Sequence, residues 1–257
     1  MIFRRRKKDD PAHETQTGTD TQTSDESVPD DPDELDDAEE LDGDDTGAAL
    51  DAEGQTDWES LDEQDWRTDG PHDITELDPA DDPDDRLDLG GLILRGFEGM
   101  ELRLQVAEES QAIVSAMMLK GSSALEVAGF AAPRSGGLWT ELRSEIIEAA
   151  TEAGGSVGLV EGPFGTELRR LLPVRTPEGQ DGYQPSRMWV AQGPRWLLRG
   201  VVYGQAAVVD GTDDEAVAEL LDAFRAIIVR RGDDAMAPGD LLPLDFPKPL
   251  TTPEEQD

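Results

Sequence analysis

The chain contains no cysteine, and only 5% of its 257 residues are aromatic. Without cysteine it has no disulfide, no thiolate metal site and no thiol nucleophile. Histidine is nearly absent as well. His13 and His72 are the only two, and both fall in the acidic first third. The remainder of the chain therefore lacks a Ser-His-Asp triad, an imidazole base and a histidine-ligated metal. No run approaches the roughly 20 continuous apolar residues of a membrane-spanning helix. A Walker loop, a Gly-x-Gly-x-x-Gly turn, a His-Glu-x-x-His helix and the spacing of a calcium loop are all missing. These absences remove most familiar catalytic classes, so the expectation is a non-enzymatic protein with no cofactor and no metal.

Negative charge is what the chain has in excess. It carries 59 acidic side chains against 22 basic ones, a net charge of -37. Residues 1–90 hold 33 acidic and 7 basic side chains; residues 91–257 hold 26 and 15. The first third has too few apolar residues to offset the entropy of ordering, and its like charges repel. Composition therefore predicts a disordered acidic arm over 1–86, an α+β domain over 87–249 and a disordered tail over 250–257. The arm begins with a basic tract, Arg4, Arg5, Arg6, Lys7 and Lys8, behind only Ile2 and Phe3. Asp9, Asp10 and Pro11 stand where a secretory signal needs its apolar segment, which points to the cytoplasm. Five cations at about 1 kcal/mol each near an anionic membrane give only weak contact, and no membrane role is expected. The overall acidity also argues against direct binding to a phosphate backbone.

Within the arm, Asp57-Trp58-Glu59-Ser60-Leu61-Asp62-Glu63-Gln64-Asp65-Trp66 combines acidic residues with spaced aromatics. Such a segment folds as a helix into the groove of a partner, with Trp58, Leu61 and Trp66 as anchors, or packs back on its own domain. The sequence leaves both open.

From Leu87 onward the pattern becomes periodic. Alternation at 102–106 and apolar runs at 112–119 and 124–130, joined by short turns, predict an antiparallel meander. Trp139, Leu142, Ile146, Ala149 or Ala150, and Ala153 recur at helical spacing and end at Gly154-Gly155. Strands are expected at 156–160, 166–172, 187–192 and 196–207, with a long loop at 177–185. A last helix starts at a capping box, Thr212-Asp213-Asp214-Glu215, and its apolar face runs through Val217, Leu220, Leu221, Phe224, Ile227 and Ile228. A proline-rich extended strap follows. The expected fold is α+β, a mostly antiparallel sheet of about seven strands with two covering helices.

The residues that carry chemistry are few. Arg134 follows Phe130-Ala131-Ala132-Pro133, and Arg195 and Arg199 frame Trp196-Leu197-Leu198. On one strand Arg195 and Arg199 share a face, where two guanidiniums grip a carboxylate or phosphate, pair with acidic neighbours or face water. Glu161 and Glu167 flank the Gly-Pro-Phe-Gly turn that contains Phe164 and are a candidate carboxylate pair, although no activated nucleophile accompanies them.

Four ordered motifs, Phe130–Arg134 with Leu138-Trp139, Glu161–Leu168, Gly193–Gly200 and Met236–Leu244, resemble an actinobacterial family of uncharacterised proteins with a domain of unknown function. The resemblance spans roughly 87–249 and implies a cytoplasmic protein with no assigned activity. The strand and helix order is also similar to that of PsbP-like α-β-α sandwiches, whose members mostly act as binding or assembly factors. The leading expectation is a cytoplasmic interaction module that presents a sheet face or the Arg195/Arg199 row to a protein partner. One alternative is a sensor or enzyme that clamps an anionic metabolite with Arg134, Arg195 and Arg199. Another is an acidic arm that mimics nucleic acid.

Overall fold

The computed structural model describes residues 56–77, 86–176 and 179–247. The basic start, the arm up to residue 55 and the 250–257 tail lie outside the described residues, as do the expectations placed on them. In chain order the elements are α1 (Trp58–Asp62), β1 (His72–Asp73), β2 (Arg86–Asp88), β3 (Leu92–Arg95), β4 (Glu101–Val106), β5 (Ile113–Lys120) and β6 (Ser123–Ala131). They continue as α2 (Leu138–Glu152), β7 (Ser156–Gly162), β8 (Gly165–Arg175), β9 (Asp181–Gly193), β10 (Trp196–Gly204), α3 (Glu215–Arg225) and β11 (Ile228–Val229). Seven strands form one antiparallel sheet in the order β4-β5-β6-β10-β9-β8-β7. The fold is α+β, as the alternation and short turns imply.

Strand geometry explains why β10 is the pivot. Successive side chains point to opposite faces. Trp196, Leu198 and Val202 enter one core with Leu125, Val127, Val217, Leu220 and Phe224, while Leu197 and Val201 enter a second core with Leu138 and Trp139 of α2. A strand buried on both faces needs a largely apolar run, and Trp196-Leu197-Leu198 with Val201-Val202 supplies it on either side of Arg199. Gly200 adjoins that interruption. A Cβ there would lie 2.7 Å from Cε2 of Phe224, so glycine lets the Phe224 ring sit flat on the strand. That ring also meets Phe164 and Trp189 edge-on at 4.9 and 6.0 Å between centroids.

The last helix departs from expectation at both ends. Its N-cap is Asp214, whose carboxylate accepts from the Ala216 amide at 2.9 Å, rather than Thr212. The helix stops at Arg225, and Ile228-Val229 become β11. β-branched residues favour extended backbone, and here a strand position between β1 and β3 buries them fully. This second sheet, ordered β1-β11-β3-β2, was not expected, because strands of two to four residues leave no period in the sequence. Likewise the loop expected at 177–185 is mostly strand: β8 runs to Arg175, and β9 begins at Asp181 with Tyr183 opposite Pro173.

Residues 56–77 belong to the fold, which corrects the expected boundary at residue 87. His72 and Asp73 pair in parallel with Ile228 and Val229. A carboxylate oxygen of buried Asp73 accepts from Trp196 Nε1 at 2.7 Å, and the Arg67 guanidinium lies 5.3 Å from the Trp196 ring. Charge density hid this stretch, since the long-range partners of Asp62 and Asp73, Arg143 and Trp196, are not visible from the local sequence. His72 thereby joins the folded domain, and the exclusion of histidine from it does not hold. The proline-rich strap is extended as expected, and Leu242 is buried with its amide on the Gly129 carbonyl at 2.9 Å. No helix among the described residues is long and apolar enough to cross a membrane.

Candidate functional site

The most concentrated polar cluster is structural. Glu167 is 1% exposed and accepts from Arg187 Nε and Nη2 at 2.9 Å each, Trp189 Nε1 at 2.7 Å and Arg169 Nε at 2.9 Å. Arg187 Nη1 reaches the carbonyls of Ala206 and Val209 at 3.4 and 3.3 Å. The register of β8 on β9 places Arg169 beside Arg187, so the carboxylate sits on their shared face. Nearly every donor of Arg187 is used, as a buried charge requires. Above this pair a cleft of about 640 Å³ opens between the β7–β8 turn and α3, with Glu161, Arg169, Asp210 and Arg225 on its walls. Glu161 and Glu167 therefore do not form a carboxylate pair. One lines the cleft, and the other is buried beneath it holding arginines.

A different surface, beside α2, carries two arginines and one glutamate. The helix α2 packs over β7 and β8 and shields Leu168, Met188, Val190, Leu197 and Val201. On the same face, the strip formed by β10, β6 and β5 carries Arg199, Tyr203, Glu126, Met117 and Leu119, with Arg170 and Ser186 at its β8–β9 margin. Met117 and Leu119 are half-buried and join neither core. Neither Arg170 nor Arg199 forms an ion pair among the described residues. Arg170 donates to Ser186 Oγ at 3.3 Å, and Arg199 lies 5.2 Å from the Phe130 ring. The Arg199 Nε and the Oγ of buried Ser115 have no hydrogen-bond partner among the described residues. Register places Ser115 and Arg199 in one cross-strand row, separated by β6. Burial pulls the Arg170 guanidinium below its ordinary value; Tyr203 opposes this and the Arg199 charge adds to it. Burial, then the Glu126 carboxylate, pushes the Tyr203 phenol up, and Tyr203 donates to Glu126 at 3.3 Å.

The other residues singled out from the sequence are dispersed. Arg195 is not on the strand. It has φ 62° in the turn before β10, and its Nη2 donates to the Gly232 carbonyl at 3.1 Å. Arg134 is exposed in the loop after β6. The three arginines therefore do not converge into one clamp: the glycine-proline turn puts Arg195 in left-handed backbone, where strand alternation no longer applies. Phe164 and Trp196 are buried core residues. Arg170 and Tyr203 were missed, because a lone Arg beside a lone Tyr on two strands leaves no local signal; only sheet register joins them.

The Trp58–Trp66 segment packs on its own domain. Asp57 caps α1 by accepting from the Ser60 amide at 3.1 Å. Asp62 pairs with Arg143 of α2, and the side chains are 4% and 8% exposed. Gln192 Nε2 donates to the Asp62 carbonyl at 3.1 Å, and Thr166 Oγ1 to that of Trp58 at 3.4 Å. Trp66 Nε1 turns back onto the Leu61 carbonyl at 2.8 Å. Gly165, at φ 85°, admits this arrangement: a Cβ there would be 2.7 Å from Trp66 Nε1. Among the described residues, no three of His, Cys, Asp and Glu gather as metal ligands would.

No curated protein matches the chain significantly. Among solved structures it is similar to a protein from Bacteroides thetaiotaomicron, with 12% identity and a TM-score of 0.32 over 56% of this chain. The chain spans 47%, about half, of that protein's length. It is also similar to the PsbP protein of the cyanobacterium Synechocystis, with 11% identity and a TM-score of 0.32, over 56% of this chain and 91% of that one. At such values neither bears on function. Residues 70–253 match the family model described as protein of unknown function, DUF3710. With well over half of its length matched, the chain belongs to the DUF3710 family of uncharacterised proteins.

Proposed function

We propose that the protein is a cytoplasmic, non-enzymatic binding module that engages an acidic segment of a protein partner on the β10-β6-β5 strip beside α2. The observation that carries this reading is the pair of guanidiniums, Arg170 and Arg199, with no ion pair among the described residues of a chain of net charge -37. A partner's carboxylates would supply acceptors for these two groups. Met117, Leu119, Phe130 and Tyr203 would give the apolar contact that surrounds such polar anchors at interfaces.

The test is affinity capture with cross-linking, using full-length protein, an Arg170→Glu/Arg199→Glu variant and an Arg134→Glu control. An acidic partner cross-linked to the strip, retained by the control and lost from the double variant, is the expected result. Equal capture by all three removes the strip from the interaction.

A further inference from the structure

The groove that holds Asp57–Arg67 has features of a recognition site, independent of the arginine strip. Its walls are the first residues of β8, the end of β9 and the first turns of α2. Thr166, Gln192 and Arg143 each engage the segment there, at Trp58, Asp62 and again Asp62. Two of these contacts go to backbone carbonyls, and the third is one buried carboxylate. A helix of five residues does not hold itself together in water, and α1 buries none of its residues fully. Its shape is therefore imposed by the groove.

The fit is incomplete. A narrow space of about 10 Å³ lies under the segment, lined by Asp62, Trp66, Trp139 and Phe164 among others. It has the size of a single water molecule. The Oδ1 of Asp62 and the Nε1 of Trp139 are buried with no hydrogen-bond partner among the described residues, and Trp139 is 2% exposed. A native occupant that reaches Trp139 would remove that cost. The occupant also lies outside the family-matched region that forms its site. Trp139, Arg143, Gly165, Thr166 and Gln192 all lie within the family-matched 70–253, whereas 57–67 precedes it.

We infer that this groove binds an acidic, tryptophan-bearing helical turn of a partner protein, and that Trp58–Asp62 occupies it in cis as a competitor. The cis segment defines the chemistry: an aromatic, one helical turn, then a carboxylate for Arg143. Tethering gives it a high effective concentration, so a partner binds only when its own segment fits better or the cis segment is weakened.

The probe is a fluorescent peptide with the sequence of residues 56–69, titrated by anisotropy into three full-length proteins. These are the wild type, a Trp58→Ala/Asp62→Ala variant with a weakened cis segment, and that variant with Gln192→Ala and Arg143→Glu added. A second peptide carries Ala at the position of Asp62. The first peptide should bind the weakened variant at least about tenfold more tightly than the wild type, as release from an intramolecular competitor requires. Binding should fall at least as far with the second peptide, which needs no change in the protein. No binding to the folded, weakened variant, equal affinity for it and the wild type, or indifference to the peptide's aspartate would each overturn the inference.

Discussion

Replacing Glu167 by Gln tests whether the Glu167–Arg187 pair holds the sheet as its geometry implies. The variant keeps the volume of the side chain but removes the charge and turns one acceptor oxygen into a donor that faces guanidinium N–H groups. Arg187, 2% exposed, then keeps a positive charge with no counter-charge of its own, and Trp189 Nε1 can lose its acceptor. Stripping one partner from a buried pair costs about 3–5 kcal/mol, and an orphaned neutral donor about 1–3 kcal/mol more. Arg169 retains Asp210 at 2.5 Å and softens the loss, so a total of about 4 kcal/mol is expected. With a urea slope of about 2 kcal/mol per M, the midpoint should fall by about 2 M. Domains of this size are stable by about 5–15 kcal/mol, so the variant should still fold at 25 °C. A Glu167→Leu/Arg187→Met double variant should lose much less than the sum of its singles, since neither charge is stranded. A midpoint drop under about 0.5 M for Glu167→Gln, or strict additivity in the double, would refute the reasoning.

Gly200→Ala should destabilise by about 1–3 kcal/mol in the same assay, because its methyl enters the space of the Phe224 ring. Phe224→Ala should cost about 3–5 kcal/mol through the cavity it opens under Phe164 and Trp189. Tyr203, raised above its ordinary value of 10.0, keeps its proton more firmly in the fold than in the unfolded chain. Its contribution is full below about pH 10 and is lost as pH rises through the raised value, so urea midpoints of Tyr203→Phe and wild type should converge at alkaline pH.

Long periodic elements were legible in the sequence and short ones were not. The 102–130 meander and the 139–153 helix stand out because each repeats its period several times. β1 and β11 have two residues each, and they form only because β1 meets β11, and β11 meets β3, across the chain. Ile228 illustrates the limit. It continues the apolar stripe of α3 perfectly, yet it leaves the helix because a strand slot buries it fully beside β3. The candidate site was less legible still. Arg199 was visible as a motif residue, but its companions Arg170 and Tyr203 are set by register across three strands, and Arg195 was diverted by one positive φ. Trp58, Leu61 and Trp66 were recognisable as anchors. The sequence left their target open because both answers use the same amphipathic pattern.

The four-stranded sheet has a consequence for how the molecule is made. Its strands β1, β2 and β3 are complete by residue 95, but the strand that joins β1 to β3 is residues 228–229. At ribosomal rates of roughly 5–20 residues per second, the partner arrives on the order of ten seconds later. Throughout that interval His72 and Asp73 have no strand partner. The sheet is completed only after all seven strands of the larger sheet have been made, and it fastens the two flanks of the chain like a clasp around them.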